Sequence, residues 1–205
     1  MNAVIISVAI LFFLLFLYLL KQSKQPTGLV GIWMMKIWNQ VYFPMVELAI
    51  SQLEQQNIKN ILDVGIGNGQ STLYLKQYFP NSKVIGIDIS KTAITQAKKW
   101  NIADLNFELK DVGQTTYSAE SFDLITAFQT HFHWPDLSRA FSELRRILRR
   151  DGLILLACEW SKLTYFQPEL KKEEEFAAFL NNKGLKLVSS QRKNQWILYK
   201  IVKKQ

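Results

Sequence analysis

Three glycines at alternate positions, Gly65, Gly67 and Gly69, separate a short apolar run, Ile61–Val64, from a segment of helical spacing that continues to about Phe79. A strand that turns at once into a helix needs backbone of positive φ and lets a ligand touch the main chain, and glycine favours both. The new helix points free N–H groups and its positive end at whatever sits there. In an open α/β sheet this place, at the C-terminal ends of the strands, is where ligands bind.

The alternation continues downstream. Lys83–Ile89 reads as a strand and Lys91–Trp100 as a helix, then Leu105–Leu109 and Phe122–Phe128 as strands. Leu137–Arg150 is amphipathic, with Leu137, Phe141, Leu144 and Leu148 on one face. Asp151-Gly152 turns the chain into a continuous apolar strand, Leu153–Cys158, and Glu169–Asn182 reads as a helix. Leu185–Ser190 and Trp196–Val202 read as strands joined by a polar loop, Gln191–Gln195. Strands and helices at this spacing predict a parallel sheet covered on both faces. The closing hairpin predicts one antiparallel strand at its end. Upstream, Leu29–Gln56 is helix-like and rich in aromatics, and Pro44 is expected to divide it into two helices.

The glycine spacing narrows the ligand. A dinucleotide fingerprint, counted from Gly65, needs its third glycine where Gln70 stands. No lysine follows the glycines as a P-loop requires. Asp63, two residues before the first glycine, suits a cationic sulfonium and amino group better than a pyrophosphate. Asp88 ends the second strand, where a carboxylate can accept both hydroxyls of a ribose. Asp111 follows the third strand, within reach of an adenine amine. One such carboxylate is ordinarily a turn or helix cap. Three of them at successive strand ends form a pattern.

With ILDVGIGNGQ, VIGIDIS, LKDVG, SFDLITAFQTHFHWPD and LSRAFSELRRILRRDGLILL in place, the chain resembles a class I S-adenosylmethionine-dependent methyltransferase of the quinone-biosynthesis type. The helical lead-in GIWMMKIWNQVYFPMVELAISQL is similar too, so the resemblance covers about residues 28–160. It implies a Rossmann-like, mostly parallel seven-stranded α/β sheet of order 3-2-1-4-5-7-6, with the last strand antiparallel. It also implies S-adenosylmethionine as cofactor. Asp63, Gly65, Gly67 and Gly69 would hold the methionine part, Asp88 and Ile89 the ribose and one adenine face, and Asp111 and Val112 the adenine edge. Phe128 and Gln129 would lie beside the reacting methyl. The chain departs from the family at Arg150-Asp151-Gly152, where Lys-Pro-Gly-Gly is usual, and at TTYSAES, where Leu-Pro-Phe is usual.

On the acceptor side, methyl transfer from a sulfonium is an in-line displacement, so the protein mainly aligns the acceptor and excludes water. If the acceptor must lose a proton, His131 and His133 are the candidate bases and Gln129 a candidate for orienting it. His-x-His lacks an evident third ligand, so no metal site is expected. Phe128, Phe132, Trp134, Trp160, Tyr165 and Phe166 could form an apolar pocket, with Glu159 facing the same cleft. Trp33, Trp38, Asn39 and Tyr42 could form a lid. The run AFQTHFHW is unlike the Asn/Asp-Pro-Pro-Tyr run of nucleobase amine methylation. The single cysteine, Cys158, lies mid-strand, out of place for cytosine-C5 chemistry. A small, apolar or lipid-like acceptor is therefore favoured over nucleic acid. Methylation of protein or nucleic acid, and a non-catalytic S-adenosylmethionine-binding scaffold, are the alternatives.

The first residues add a membrane. Ala3–Leu20 is uninterruptedly apolar. As a helix it is about 27 Å long, close to the hydrocarbon thickness of a bilayer. No basic residue precedes it and no small-x-small cleavage site follows it, so an uncleaved anchor is expected rather than a signal peptide. Lys21, Lys24 and Lys36 follow, which predicts a single-pass protein with its catalytic domain in the cytoplasm. The formal charge of +8 lies wholly outside the run and suits anionic headgroups. The expected organisation is an anchor at 1–20, a linker at 21–28 and a methyltransferase domain at 29–205 whose lead-in is 29–56. An eight-residue linker reaches at most about 28 Å, which keeps the cleft near the bilayer.

Overall fold

A computed structural model describes residues 2–53 and 57–204. Helix α1, Asn2–Lys24, is followed by α2, Gly28–Ser51. The alternating part comprises β1 (Asn60–Val64), α3 (Gln70–Tyr78), β2 (Lys83–Asp88), α4 (Lys91–Ala97), β3 (Leu105–Leu109) and β4 (Phe122–Phe128). It continues with α5 (Leu137–Ile147), β5 (Leu148–Glu159), α6 (Trp160–Phe166), α7 (Glu173–Asn181), β6 (Leu185–Lys193) and β7 (Trp196–Lys203). The seven strands form one sheet of order β3-β2-β1-β4-β5-β7-β6. β7 runs antiparallel to both neighbours, and the other pairings are parallel. The order and the antiparallel seventh strand are those the resemblance implies.

Each face of the sheet has its own core. On one, α5 and α7 bury Phe141, Leu144, Ile147, Phe176 and Leu180 against Ile125, Ile154 and Tyr199. On the other, α2, α3 and α4 bury Met45, Ile50, Leu75 and Ile94 against Ile61, Val84 and Leu155. Strands with apolar residues on both faces are what a doubly covered sheet requires.

Four local differences from the sequence reading have physical causes. Pro44 lies inside an unbroken α2. It sits on the exposed side of the helix with Gln40, whose carbonyl loses its partner and can turn to water. α5 stops at Ile147, because Leu148 already pairs with Phe122 in the sheet. The register then skips from Leu148 to Leu153 opposite Leu124, so the Arg149–Gly152 turn is a bulge within β5. The hairpin loop shrinks, since Lys193 pairs with Trp196 and Asn194 takes a φ of 55°. Finally, α1 continues through Lys21–Lys24, leaving Gln25–Thr27 as the connection to α2. Residues 54–56 of the lead-in lie outside the described residues.

α1 is long and apolar enough to cross a bilayer, with a mean hydropathy of 2.7 over an 18-residue window within Val4–Lys24. It packs against none of the sheet's cores, and Leu11 and Phe12 are each 67% exposed. Its last turn is different. Gln22 is only 3% exposed. Its amide donates to the Thr27 hydroxyl at 2.8 Å, and its carbonyl accepts from the Thr27 N–H at 2.8 Å. The Ser90 hydroxyl donates to the Pro26 carbonyl, and the Gln25 amide donates to the Ile89 carbonyl at 3.3 Å. The end of the apolar helix is thereby tied to the loop after β2.

Candidate active site

The C-terminal ends of β1, β2 and β4 open into a cleft lined by Gly65, Gly67, Asp88 and Phe128. A second, smaller cavity lies beside it, and both are lined by Gly65, Asp88, Thr130, His133 and Lys24.

The glycines divide by role. A Cβ at Gly65 would stand 2.1 Å from the Thr130 Oγ1, so this glycine allows β1 and β4 to turn together. A Cβ at Gly69 would meet Ala97 at 2.9 Å and Phe107 at 3.0 Å, so this one packs α3 against its neighbours. A Cβ at Gly67 would meet nothing nearer than the Met35 sulfur at 3.7 Å. Gly67 therefore leaves bare backbone facing open cleft. Its N–H donates to Asp88 Oδ2 at 3.0 Å, and Asp88 Oδ1 accepts from the Ser90 N–H at 2.8 Å. Burial pushes the Asp88 carboxyl above its usual range, against these N–H bonds.

Asp63 is buried beneath the turn and is not part of the cleft wall. It accepts from Ser71 at 2.7 Å, Thr72 at 2.9 Å and Thr126 at 2.7 Å, which ties β1 to the first turn of α3 and to β4. Burial pushes its pKa up to about 6, and the three hydroxyls oppose the shift. Ile89, Asp111 and Val112 come together in the second cavity. Asp111 Oδ1 accepts from the Gly113 N–H at 2.8 Å, capping its own turn.

At the end of β4, Phe128 and the following Gln129 line the cleft. Gln129 is held at a φ of 59°, a strained conformation for this residue. Its Oε1 accepts from the Glu159 N–H at 2.7 Å, while its Nε2 is buried without a partner. The two histidines part company. His131 is 1% exposed, faces Cys158 with Nε2 3.9 Å from the sulfur, and does not line the cleft. Burial pulls its pKa down to about 3. His133 does line the cleft, and burial with the Lys24 and Lys162 charges holds it at about 4.

Opposite them, Trp38, Asn39 and Tyr42 of α2 line the cleft, whereas Trp33 is exposed. Asn39 donates to the Asn68 side chain in the glycine turn. Tyr42 donates to Glu159 at 3.0 Å and accepts from Lys162 at 2.7 Å. Burial, then Glu159, pushes the phenol up to about 12, and the nearby Gln129 amide opposes this. Phe132 and Phe166 stack at 5.6 Å beside His133, while Tyr165 is exposed. Trp160 lies under Arg192 at 4.9 Å. Trp134 lines only the second cavity. Sequence reasoning missed Ser71, Thr130, Lys162 and Lys24 as lining residues. Lys24 is separated from the glycine turn by forty residues of chain, and no local pattern marks it as part of that site.

An open glycine backbone, the Asp88 carboxylate beside it and a side cavity at the ends of β1–β3 lie where open α/β sheets bind their ligands. Residues 62–156 match the methyltransferase domain family. Fold and matched segment support a class I S-adenosylmethionine-dependent methyltransferase domain, and S-adenosylmethionine is the cofactor of that class. Among relatives, an uncharacterized methyltransferase YcgJ of Bacillus subtilis is 27% identical over 138 residues, covering 65% of this chain and 51% of that protein. A malonyl-acyl-carrier-protein O-methyltransferase of Ilyobacter polytropus is 32% identical, covering 64% of this chain and 54% of that protein. A phosphoethanolamine N-methyltransferase of Triticum aestivum is 29% identical, covering 63% and 25%. The chain thus spans about half or less of these relatives' lengths. A putative methyltransferase solved with its activator from Haloferax volcanii shares the fold, at a TM-score of 0.73 and 14% identity over 84% of this chain and 94% of that one.

Proposed function

We propose that this protein transfers the methyl group of S-adenosylmethionine to a small, apolar or lipid-like acceptor at a membrane surface, with α1 as a single-pass anchor and the domain on the cytoplasmic side. The observation that carries this reading is the open backbone of Gly67 facing the same cleft as Asp88, with the end of α1 as part of the wall.

When bound, the cofactor supplies an activated methyl group on a sulfonium. Gly67 lets it approach the backbone, and Asp88 accepts from the ribose hydroxyls. Ile89, Asp111 and Val112 enclose the adenine. Asp63 acts from below by holding Ser71 and the turn in place. Gln129 offers its open N–H to the acceptor, and Phe128 closes the site against water. His133, held at about 4, is neutral at pH 7 and a weak base, so it serves better as a hydrogen-bonding wall than as a proton acceptor. Two relatives are named for phosphoethanolamine and for malonyl-acyl-carrier protein, which supports a small acceptor group over a polymer.

Calorimetry of the full chain in lipid nanodiscs tests the reading. S-adenosylmethionine and S-adenosylhomocysteine are expected to bind and NAD is not. Binding of NAD alone would overturn it.

A further inference from the structure

Charge at the cleft is unevenly matched. Lys24, in the last turn of α1, lines both the cleft and the side cavity. Its ammonium lies 5.5 Å over the Phe166 ring and, among the described residues, has no carboxylate partner. Lys162, from α6, lines the same cleft. Burial lowers its pKa, and its nearest carboxylate, Glu159, is 4.0 Å away. That carboxylate is already taken by Tyr42 on one oxygen and Ser161 on the other. His133 lines the same cleft; burial, and after it the charges of both lysines, lowers its pKa, and its Nδ1 is buried without a partner. The carboxylate on the cleft wall, Asp88, has its oxygens engaged by two backbone N–H groups.

Lys24 is not a loose tail. The buried Gln22, its two bonds to Thr27 and the Ser90–Pro26 bond hold the helix end against the cofactor loop. Ammonium groups placed together beside a neutral imidazole repel one another unless an anion joins them, and charge-assisted bonds to such an anion are strong. Met35, Trp38, Phe43 and Phe132 give the same cleft an apolar stretch of wall. α1 carries an apolar surface away from this same opening.

We propose that Lys24 and Lys162 form a head-group site, and that the methyl acceptor is an anionic amphiphile whose phosphate or carboxylate sits between them beside His133. The proposal rests on the methyltransferase reading and narrows its acceptor. It also gives the anchor a second role, since one of the two cations belongs to it.

The test uses the full chain in nanodiscs of phosphatidylcholine, with dodecyl phosphate, dodecanoate, dodecanol and dodecyltrimethylammonium as probes of one chain length. Binding is read by tryptophan fluorescence, with and without S-adenosylhomocysteine. At least one anionic probe is expected to bind about tenfold tighter than the neutral and cationic ones, the scale of a charge-assisted bond. Which of the two does so identifies the head. Lys24→Gln and Lys162→Gln are each expected to remove that preference, with affinity for S-adenosylhomocysteine unchanged. Lys21→Gln, which alters the same membrane flank outside the cleft, is expected to keep it. Equal binding of dodecanol, or equal loss in Lys21→Gln, overturns the proposal. So does a loss of S-adenosylhomocysteine affinity in Lys24→Gln and Lys162→Gln, because the cations would then serve the cofactor. Failure of the unaltered chain to bind S-adenosylhomocysteine would count against the methyltransferase reading instead, while the probe preference measured without it still decides the head-group site.

Discussion

At the residue scale, glycines identical in sequence are separated by what a side chain would strike. Gly65→Ala is expected to lower the thermal midpoint, because its Cβ would overlap Thr130. Gly67→Val is expected to leave a folded protein, strained by about 1–2 kcal/mol at a positive φ, that no longer binds S-adenosylhomocysteine. Calorimetry beside thermal unfolding separates the two effects. Asp88→Ala is expected to weaken cofactor binding by about 1–3 kcal/mol, the scale of lost hydrogen bonds to a charged group. Unchanged affinity would remove Asp88 from the ribose. The buried histidine makes a prediction about pH. His131 is held at about 3, below the usual 6.5, so the unfolded chain takes up a proton that the folded chain refuses between those values. Its contribution to stability is present above pH 6.5 and lost as the pH falls towards 3. Asp63, raised to about 6, acts in the opposite direction between about 4 and 6. Replacement of His131 by leucine is expected to make the acid-side fall in thermal midpoint shallower. A steeper fall would contradict the assignment.

At the scale of elements, the connection from α1 to α2 has the largest consequence. Composition marks Lys21–Gly28 as a flexible linker, and cutting after residue 24 is the natural way to obtain a soluble domain. The structure ties the end of the helix down instead, through Gln22, Gln25 and Pro26. A chain starting at residue 25 lacks the Gln22–Thr27 bonds that hold the elbow against the loop after β2. Such a chain is expected to bind S-adenosylhomocysteine more weakly than the full chain. Gln22→Ala in the full chain is expected to show part of that loss. Equal affinity in all three would make the elbow a tether only.

For the whole molecule, the exposed apolar helix and the cleft lie at one place, so location and substrate supply are one question. The full chain is expected to fractionate with membranes and resist a high-salt wash, since a spanning helix does not depend on charge. Recovery of a mature protein starting after Leu20 would show a cleaved signal instead. Incubation with labelled S-adenosylmethionine and either a lipid extract or the aqueous metabolites of the host cell is expected to place label in the lipid fraction. Label confined to water-soluble products would exclude the lipid-like acceptor and leave methyl transfer standing.

Much of the fold was legible in local pattern, because apolar period, glycine turns and strand spacing are properties of neighbouring residues. The strands from Asn60 to Lys203 follow those signals to within a few residues, and the sheet order followed from the resemblance of ILDVGIGNGQ and its successors. That Gly67 and Asp88 would share one cleft was legible from strand ends and the glycine turn, while Phe128 and Gln129 were placed there only by the resemblance. Tertiary structure decided the rest. It put His131 into the interior and His133 on the wall, two residues apart, because a single turn aims them differently. It kept α2 continuous through Pro44 by turning that face to solvent. It brought Lys24 and Lys162 to one opening. Contacts between residues so distant in the chain depend on how helices pack on the finished sheet, and local sequence carries no record of that.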